Sequence, residues 1–93
     1  MSRHHVPVDK LNAAHNGAYL NRRAIEESAR CGCFSCKKTF APSEVVEWTD
    51  GGQTAPCPKC RIDSVLADKS VPRAADEDFL RQMRRQWFGA GNA

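Results

Sequence analysis

Two pairs of cysteines carry the clearest chemistry in this chain. Cys33-Phe34-Ser35-Cys36 and Cys57-Pro58-Lys59-Cys60 are both C-x2-C motifs, with twenty residues between them. Each loop is short enough for both sulfurs to reach one ion while backbone N–H groups turn toward the thiolates. Two such loops complete a closed tetrahedral shell of the kind Zn²⁺ prefers. A closed shell leaves no position for water or substrate. The expected cofactor is therefore one structural Zn²⁺ on Cys33, Cys36, Cys57 and Cys60, its binding energy forming part of the folding energy. Pro56 and Pro58 stiffen the approach to the second pair.

Cys31 is left over. A single residue separates it from Cys33, which makes a poorer chelating loop than Cys33 with Cys36, so it is expected outside the shell as a small buried residue. The alternative is a spare ligand or redox handle that exchanges with the cluster. Disulfides fit less well, because the cysteine count of five is odd and Met1 to His5 lead into no apolar run of the length an export signal needs. Both features point to a reducing cytoplasm. No stretch approaches the ~20 apolar residues of a membrane span, so no membrane association is expected.

Catalytic constellations are thin elsewhere. Metal-dependent nucleases on zinc-finger scaffolds need a histidine base near the metal, whereas residues 37–69 contain none and His4, His5 and His15 all lie upstream. His15 with Asp50 is the one pairing worth testing against a structure. A thioredoxin-like reading of either motif lacks the βαβ context such a site requires. No enzyme and no small-molecule substrate are expected.

The elements that must position the cysteines follow from local pattern. Residues 1–9 show no period and read as an arm, with residues 10–88 as a single zinc-stabilised domain and 89–93 as a flexible tail. Asp9 is placed to cap a short helical turn through Leu11, Ala14 and His15 that Gly17 interrupts. Tyr19 to Ala29 are helix formers, with Leu20, Ala24 and Ile25 on one face and with Arg22 and Arg23 four residues before Glu26 and Glu27. Between the cysteine pairs, Glu44 to Thr49 predict a strand with Val46 and Trp48 on one face. Asp50-Gly51-Gly52 predicts the turn, and Gln53 to Ala55 the returning strand of a hairpin. After Cys60, Ile62, Val65 and Leu66 fall at i, i+3 and i+4, the spacing of a short helix. A last helix is predicted over 76–88, with Asp76 as N-cap, Leu80, Met83 and Trp87 with Phe79 as an apolar stripe, and Arg81, Arg84 and Arg85 as a basic one. The fold class expected is a small α+β zinc-bound domain. Its finger, residues 31–69, would be treble-clef-like (knuckle, β-hairpin, knuckle, helix) between an N-terminal and a C-terminal helix, with a zinc ribbon as the alternative if a strand follows Cys60.

Charge says little for a dedicated nucleic-acid binder. The formal net charge is +3, but four ligating thiolates take away four charges and a dication returns two, leaving +1. Residues 1–40 carry seven Lys/Arg against three acids, 41–70 three against five, and 71–93 four against three. A steeper imbalance is usual for such proteins. The expected partner is therefore a macromolecule, protein ahead of nucleic acid, the protein serving as adaptor, regulator or inhibitor. For the nucleic-acid alternative, the contact residues would be Arg22, Arg23, Lys37, Lys38, Arg81, Arg84 and Arg85.

The run Cys31-Gly32-Cys33-Phe34-Ser35-Cys36, then Phe40, Glu47-Trp48, Thr54-Ala55, Cys57-Pro58-Lys59-Cys60, Ile62-Asp63-Ser64-Val65, and the ending Phe79-Leu80-Arg81-Gln82-Met83 to Trp87-Phe88 resemble a family of small uncharacterised bacterial proteins labelled only "cytoplasmic protein". The resemblance spans roughly residues 10 to 88. It implies a bacterial, cytoplasmic, zinc-ribbon-like or treble-clef protein and brings no activity with it. Arg61 stands where that family often has glycine.

Overall fold

The structure is a computed structural model, and it describes residues 6–88. Helix α1 runs over Val8–His15 and continues into a 3-10 turn over Asn16–Ala18. Helix α2 spans Arg22–Glu26, strands β1, β2 and β3 span Cys31–Cys33, Thr39–Phe40 and Val65–Ala67, and helix α3 spans Glu77–Phe88. The strands form one antiparallel sheet in the order β2-β1-β3.

Strand β1 organises both cores because successive side chains of a strand point to opposite faces. Its register pairs Cys31 with Ala67 and Phe40, Gly32 with Leu66 and Thr39, and Cys33 with Val65. Cys31, Cys33, Phe40, Val65 and Ala67 accordingly join Ile25 of α2, Val45, Ala55 and Cys57 in one buried cluster. Leu66 faces the other way, into a cluster with Leu11 and Ala14 of α1, Phe34, Val71, Ala74 and the α3 residues Phe79, Leu80 and Met83. Gly32 lies beneath this second cluster. A Cβ there would sit 1.9 Å from the Ala74 carbonyl oxygen and 2.9 Å from Leu80 Cδ1. The residue between the two cysteines therefore has to be glycine for residue 74 to close over the sheet.

The strand at Val65–Ala67 replaces the helix expected after Cys60. The i, i+3, i+4 spacing of Ile62, Val65 and Leu66 is real, but a short apolar run fits either structure, and here the vacant edge of β1 takes it up. The ladder extends beyond the strand ends, since Phe34 N donates to the Ser64 carbonyl and Asp68 N to the Arg30 carbonyl, both at 3.1 Å. Ile62, expected on the apolar helix face, is 44% exposed.

The predicted 44–55 hairpin is reduced to its turn. Thr49 and Thr54 form an isolated bridge, and Asp50, Gly51 and Gly52 all have positive φ, as the turn signal required. The pairing stops there because the returning residues are already engaged by residues 20–22. Leu20 N donates to Thr54 Oγ1, Arg22 N to the Gln53 carbonyl, and Ala55 N to Asn21 Oδ1. Glu44, where the predicted strand begins, instead closes a 3-10 turn over Pro42–Glu44. Val45 is the buried residue of that stretch, and Val46 is 80% exposed.

The helix predicted from Tyr19 to Ala29 is likewise shorter. Leu20 is left-handed at φ 50 and exposed, and Asn21 turns its amide inward, donating to the Val65 carbonyl at 2.8 Å. The carboxylate of Asp68 ties down the far side by accepting from Ala29 N and Arg30 N. Both i,i+4 ion pairs of α2 form, Arg22 with Glu26 and Arg23 with Glu27.

At the N-terminal end, α1 opens one residue before Asp9. The Pro7 carbonyl accepts from Lys10 N and Leu11 N, so Asp9 lies inside the first turn and no side chain caps it. Val6, assigned by sequence to a loose arm, is buried against this corner. The tail at 89–93 and residues 1–5 lie outside the described residues. Asp76 does cap α3, its Oδ1 accepting from Asp78 N and Phe79 N.

Gly32→Ala is expected to cost about 3 kcal/mol, the upper end of overpacking penalties, or to prevent folding. Gly51→Ala, whose Cβ would meet nothing within 4 Å but whose φ is +70, should cost only the ~1 to 2 kcal/mol of a left-handed residue. Urea midpoints of the two variants measure the difference.

Candidate metal centre

The two cysteine loops are built on one plan. In the first, Cys33 N donates to the Lys38 carbonyl at 3.0 Å and Lys37 N to the Cys33 carbonyl at 2.8 Å. In the second, Cys57 N donates to the Ile62 carbonyl at 2.9 Å and Arg61 N to the Cys57 carbonyl at 2.8 Å. Closing each loop this tightly forces the residue after the second cysteine into the left-handed region, Lys37 at φ 65 and Arg61 at φ 72. Arginine at 61 thus adopts the conformation that glycine would take more cheaply. The turn geometry is kept.

Each loop also aims backbone donors at its leading sulfur. Cys33 Sγ accepts from Ser35 N at 3.3 Å and Cys36 N at 3.4 Å, and Cys57 Sγ accepts from Lys59 N and Cys60 N at the same distances. The loops face each other, with Cys33 Sγ 3.6 Å from Cys60 Sγ and Cys36 Sγ 3.8 Å from Cys57 Sγ. All four sulfurs lie within 4.8 Å of one another. A zinc–sulfur bond of about 2.3 Å places the corners of a tetrahedron about 3.8 Å apart. The two cross-loop distances match that edge, so the donor set and its spacing fit a four-thiolate metal ion. Cys33 and Cys57 are buried, and Cys36 and Cys60 are half-buried.

Without the charge of an ion, burial works against the thiolates. It pushes the Cys33 thiol far up, despite bonds from Ser64, Cys36 and Ser35 that pull the other way. Burial also raises Cys57. Cys60 alone falls below its ordinary value, because bonds from the Ile62 backbone and from the other three thiols outweigh its burial. A dication removes the conflict by holding all four groups as thiolates.

Cys31 is fully buried and outside the four-sulfur group. Burial first, then the Asp68 carboxylate, push its thiol up to about 11. Its protonated, enclosed state runs against the spare-ligand and redox alternative, since reactivity needs thiolate character and access.

Ser64 is the neighbour that spacing alone could not reveal. Its hydroxyl lies 3.0 Å from Cys33 Sγ in a fully buried position, and it is presented there by the turn that leads from the second loop into β3.

The seven predicted contact residues are not brought together. Arg22 spans α2 and the 49–54 turn: it pairs with Glu26, donates to the Gly52 carbonyl at 2.9 Å, and lies 4.5 Å from the centre of the Trp48 ring. Arg23 pairs with Glu27. On the opposite face of the sheet, Arg81 pairs with Asp78 and Glu77. Arg84 donates to the Ser35 carbonyl and stands over Phe88. Lys37, Lys38 and Arg85 are exposed and make no ion pair among the described residues. His15 and Asp50 are apart as well. The histidine ring stacks on Trp87 at 3.9 Å, whereas Asp50 sits in the turn held by Arg22.

The fold and site thus define a small α+β protein with a three-stranded antiparallel sheet and four cysteines able to hold a metal ion. Compared with protein-family models, curated proteins and solved structures, the chain matches none of them. No helix among the described residues is long and apolar enough to cross a membrane.

Ser64→Ala is expected to lower zinc affinity by about tenfold or more, the usual effect of removing a group that supports a ligand, as read by chelator competition. Arg61→Gly should stabilise the loaded protein by about 0.5 to 1 kcal/mol, the relieved left-handed strain less the added chain entropy of glycine. Thermal denaturation at saturating zinc tests that sign.

Proposed function

We propose that this chain is a small zinc-binding module in which Zn²⁺ is structural and the function is macromolecular binding. The observation that carries the reading is the closed four-cysteine group, whose cross-loop distances already match a tetrahedron. Four protein sulfurs fill the coordination of zinc, so the ion would supply folding energy and no reactive position. The strand after Cys60 favours a zinc ribbon over a treble clef, because the helix that defines the latter is replaced by β3. The resemblance to the bacterial "cytoplasmic protein" family is consistent with either and with a cytoplasmic location.

A protein partner is the first reading, with the chain as adaptor, regulator or inhibitor. Tyr19 and Leu20 expose large apolar groups just before α2, while Arg22 and Arg23 of that helix are neutralised by its own acids. Nucleic acid is the second. It draws support from Lys37, Lys38 and Arg85, which are exposed and carry no ion pair among the described residues.

Purified protein is expected to hold one zinc per chain, and Cys57→Ser or chelation in reductant should unfold it. Cobalt substitution adds a sharper readout. The thiolate-to-metal absorption of a tetrahedral site should appear and stay unchanged when azide or cyanide is added. Metal-free protein that stays folded would overturn the structural role, and a spectrum that shifts with anions would overturn the closed shell.

A further inference from the structure

One surface combines exposed rings with unneutralised cations. At the C-terminal end of α3, Trp87 is 39% exposed and Phe88 is 40% exposed, whereas Phe34, Phe40 and Phe79 are buried. Neither ring is loose. Trp87 rests on His15 with ring centres 3.9 Å apart, and Phe88 rests on Phe34 at 5.9 Å, with the Arg84 guanidinium 5.5 Å from the Phe88 ring centre. The first cysteine loop borders these rings, because Arg84 reaches from α3 to the Ser35 carbonyl. That loop continues directly into the exposed Lys37 and Lys38. The acids of α3 lie at its other end: Asp78 is nine residues before Trp87, about 14 Å along the axis, and is paired with Arg81.

We infer that Trp87 and Phe88, with Arg84, Lys37 and Lys38 beside them, form a binding platform for single-stranded nucleic acid. This deepens the second of the two partner readings and rests on the binding-module function proposed above. Fixed aromatic rings offer stacking faces to bases of any sequence, and surrounding cations follow the phosphates. In duplex nucleic acid the base faces are already stacked, so an unpaired strand is the matching ligand. A polyanion without bases, such as an acidic protein segment, would use the cations and leave the rings idle. His15 and Phe34 act here as positioning residues, since they back the two rings.

The test uses the full zinc-loaded chain and fluorescence anisotropy with a labelled oligothymidylate of about twelve nucleotides, within the usual site size of single-strand binders. A duplex of the same length and polyglutamate serve as competitors. The single strand is expected to bind best, with affinity falling as salt rises, by a log–log slope of about −0.7 per phosphate contacted. Trp87→Ala should weaken binding about tenfold, and Trp87→Phe should largely restore it. Lys37→Glu with Lys38→Glu, on exposed side chains, should weaken binding and flatten the salt slope while zinc content and circular dichroism stay unchanged. Should Trp87→Ala fail to fold, Phe88→Ala and the lysine reversals decide the matter. The platform is overturned if the folded, zinc-bound protein does not bind the strand, if polyglutamate or duplex competes equally, or if ring removal leaves affinity unchanged. Those results would leave the structural-zinc reading standing, which fails separately if the purified protein lacks zinc.

Discussion

Four sulfur atoms must converge within 4.8 Å, and most of the middle of this protein is arranged to let them do so. Sulfurs buried together resist ionisation, as the raised Cys33 and Cys57 thiols show. The convergence is favourable only with a cation at its centre or with backbone donors on the sulfurs, and the loops supply the second in advance. Two N–H groups point at Cys33 and two at Cys57. Such preorganisation has a backbone cost. It appears as left-handed φ at Lys37 and Arg61, side-chain-bearing residues that would relax elsewhere.

Strand β1 carries that constraint to the rest of the molecule. Its three residues, Cys31-Gly32-Cys33, send two sulfurs into the cluster with α2 and leave a bare backbone under α3. The metal side and the helical side are thus separated by a single strand, so a displacement of Cys33 is felt at Ala74 and Leu80. This coupling explains how so small a chain sustains two apolar clusters that neither alone could stabilise well. Asn21 performs the equivalent task laterally. Its buried amide joins α2 to β3 and to Ala55, satisfying two backbone groups that the shortened hairpin leaves open.

The four-cysteine group and the last helix were legible in the sequence because each rests on a local signal. C-x2-C spacing encodes chelation, and Asp76 three residues before Phe79, with charge at both ends of the segment, encodes a capped helix. The Asp50-Gly51-Gly52 turn was legible for the same reason, its left-handed residues being announced by composition. The strands were less so. Whether Ile62 to Leu66 coil or extend depends on whether β1 offers an edge, and whether residues 45–48 pair with 53–55 depends on Asn21 and Arg22, some thirty residues upstream. Ser64 beside Cys33 and Gly32 beneath Ala74 belong to the same class, contacts that exist only after the chain has closed.

The basic residues show why counting charge along the sequence misdirects. Arg22 is bound to a glutamate, a carbonyl and an indole, and Arg23 and Arg81 are matched by acids of their own helices. Exposed pairs of this kind contribute little stability, commonly ~0 to 1 kcal/mol each, but they cancel the local field that would draw a polyanion. Lys37, Lys38 and Arg85 have no such partner among the described residues, and the two lysines directly follow the first cysteine loop. Lys37 is also the left-handed residue of the first loop, so closing the metal site fixes where its charge emerges. The first cysteine loop and the two lysines are in this sense one structure: whatever orders Cys33 and Cys36 also orders the cations that follow them.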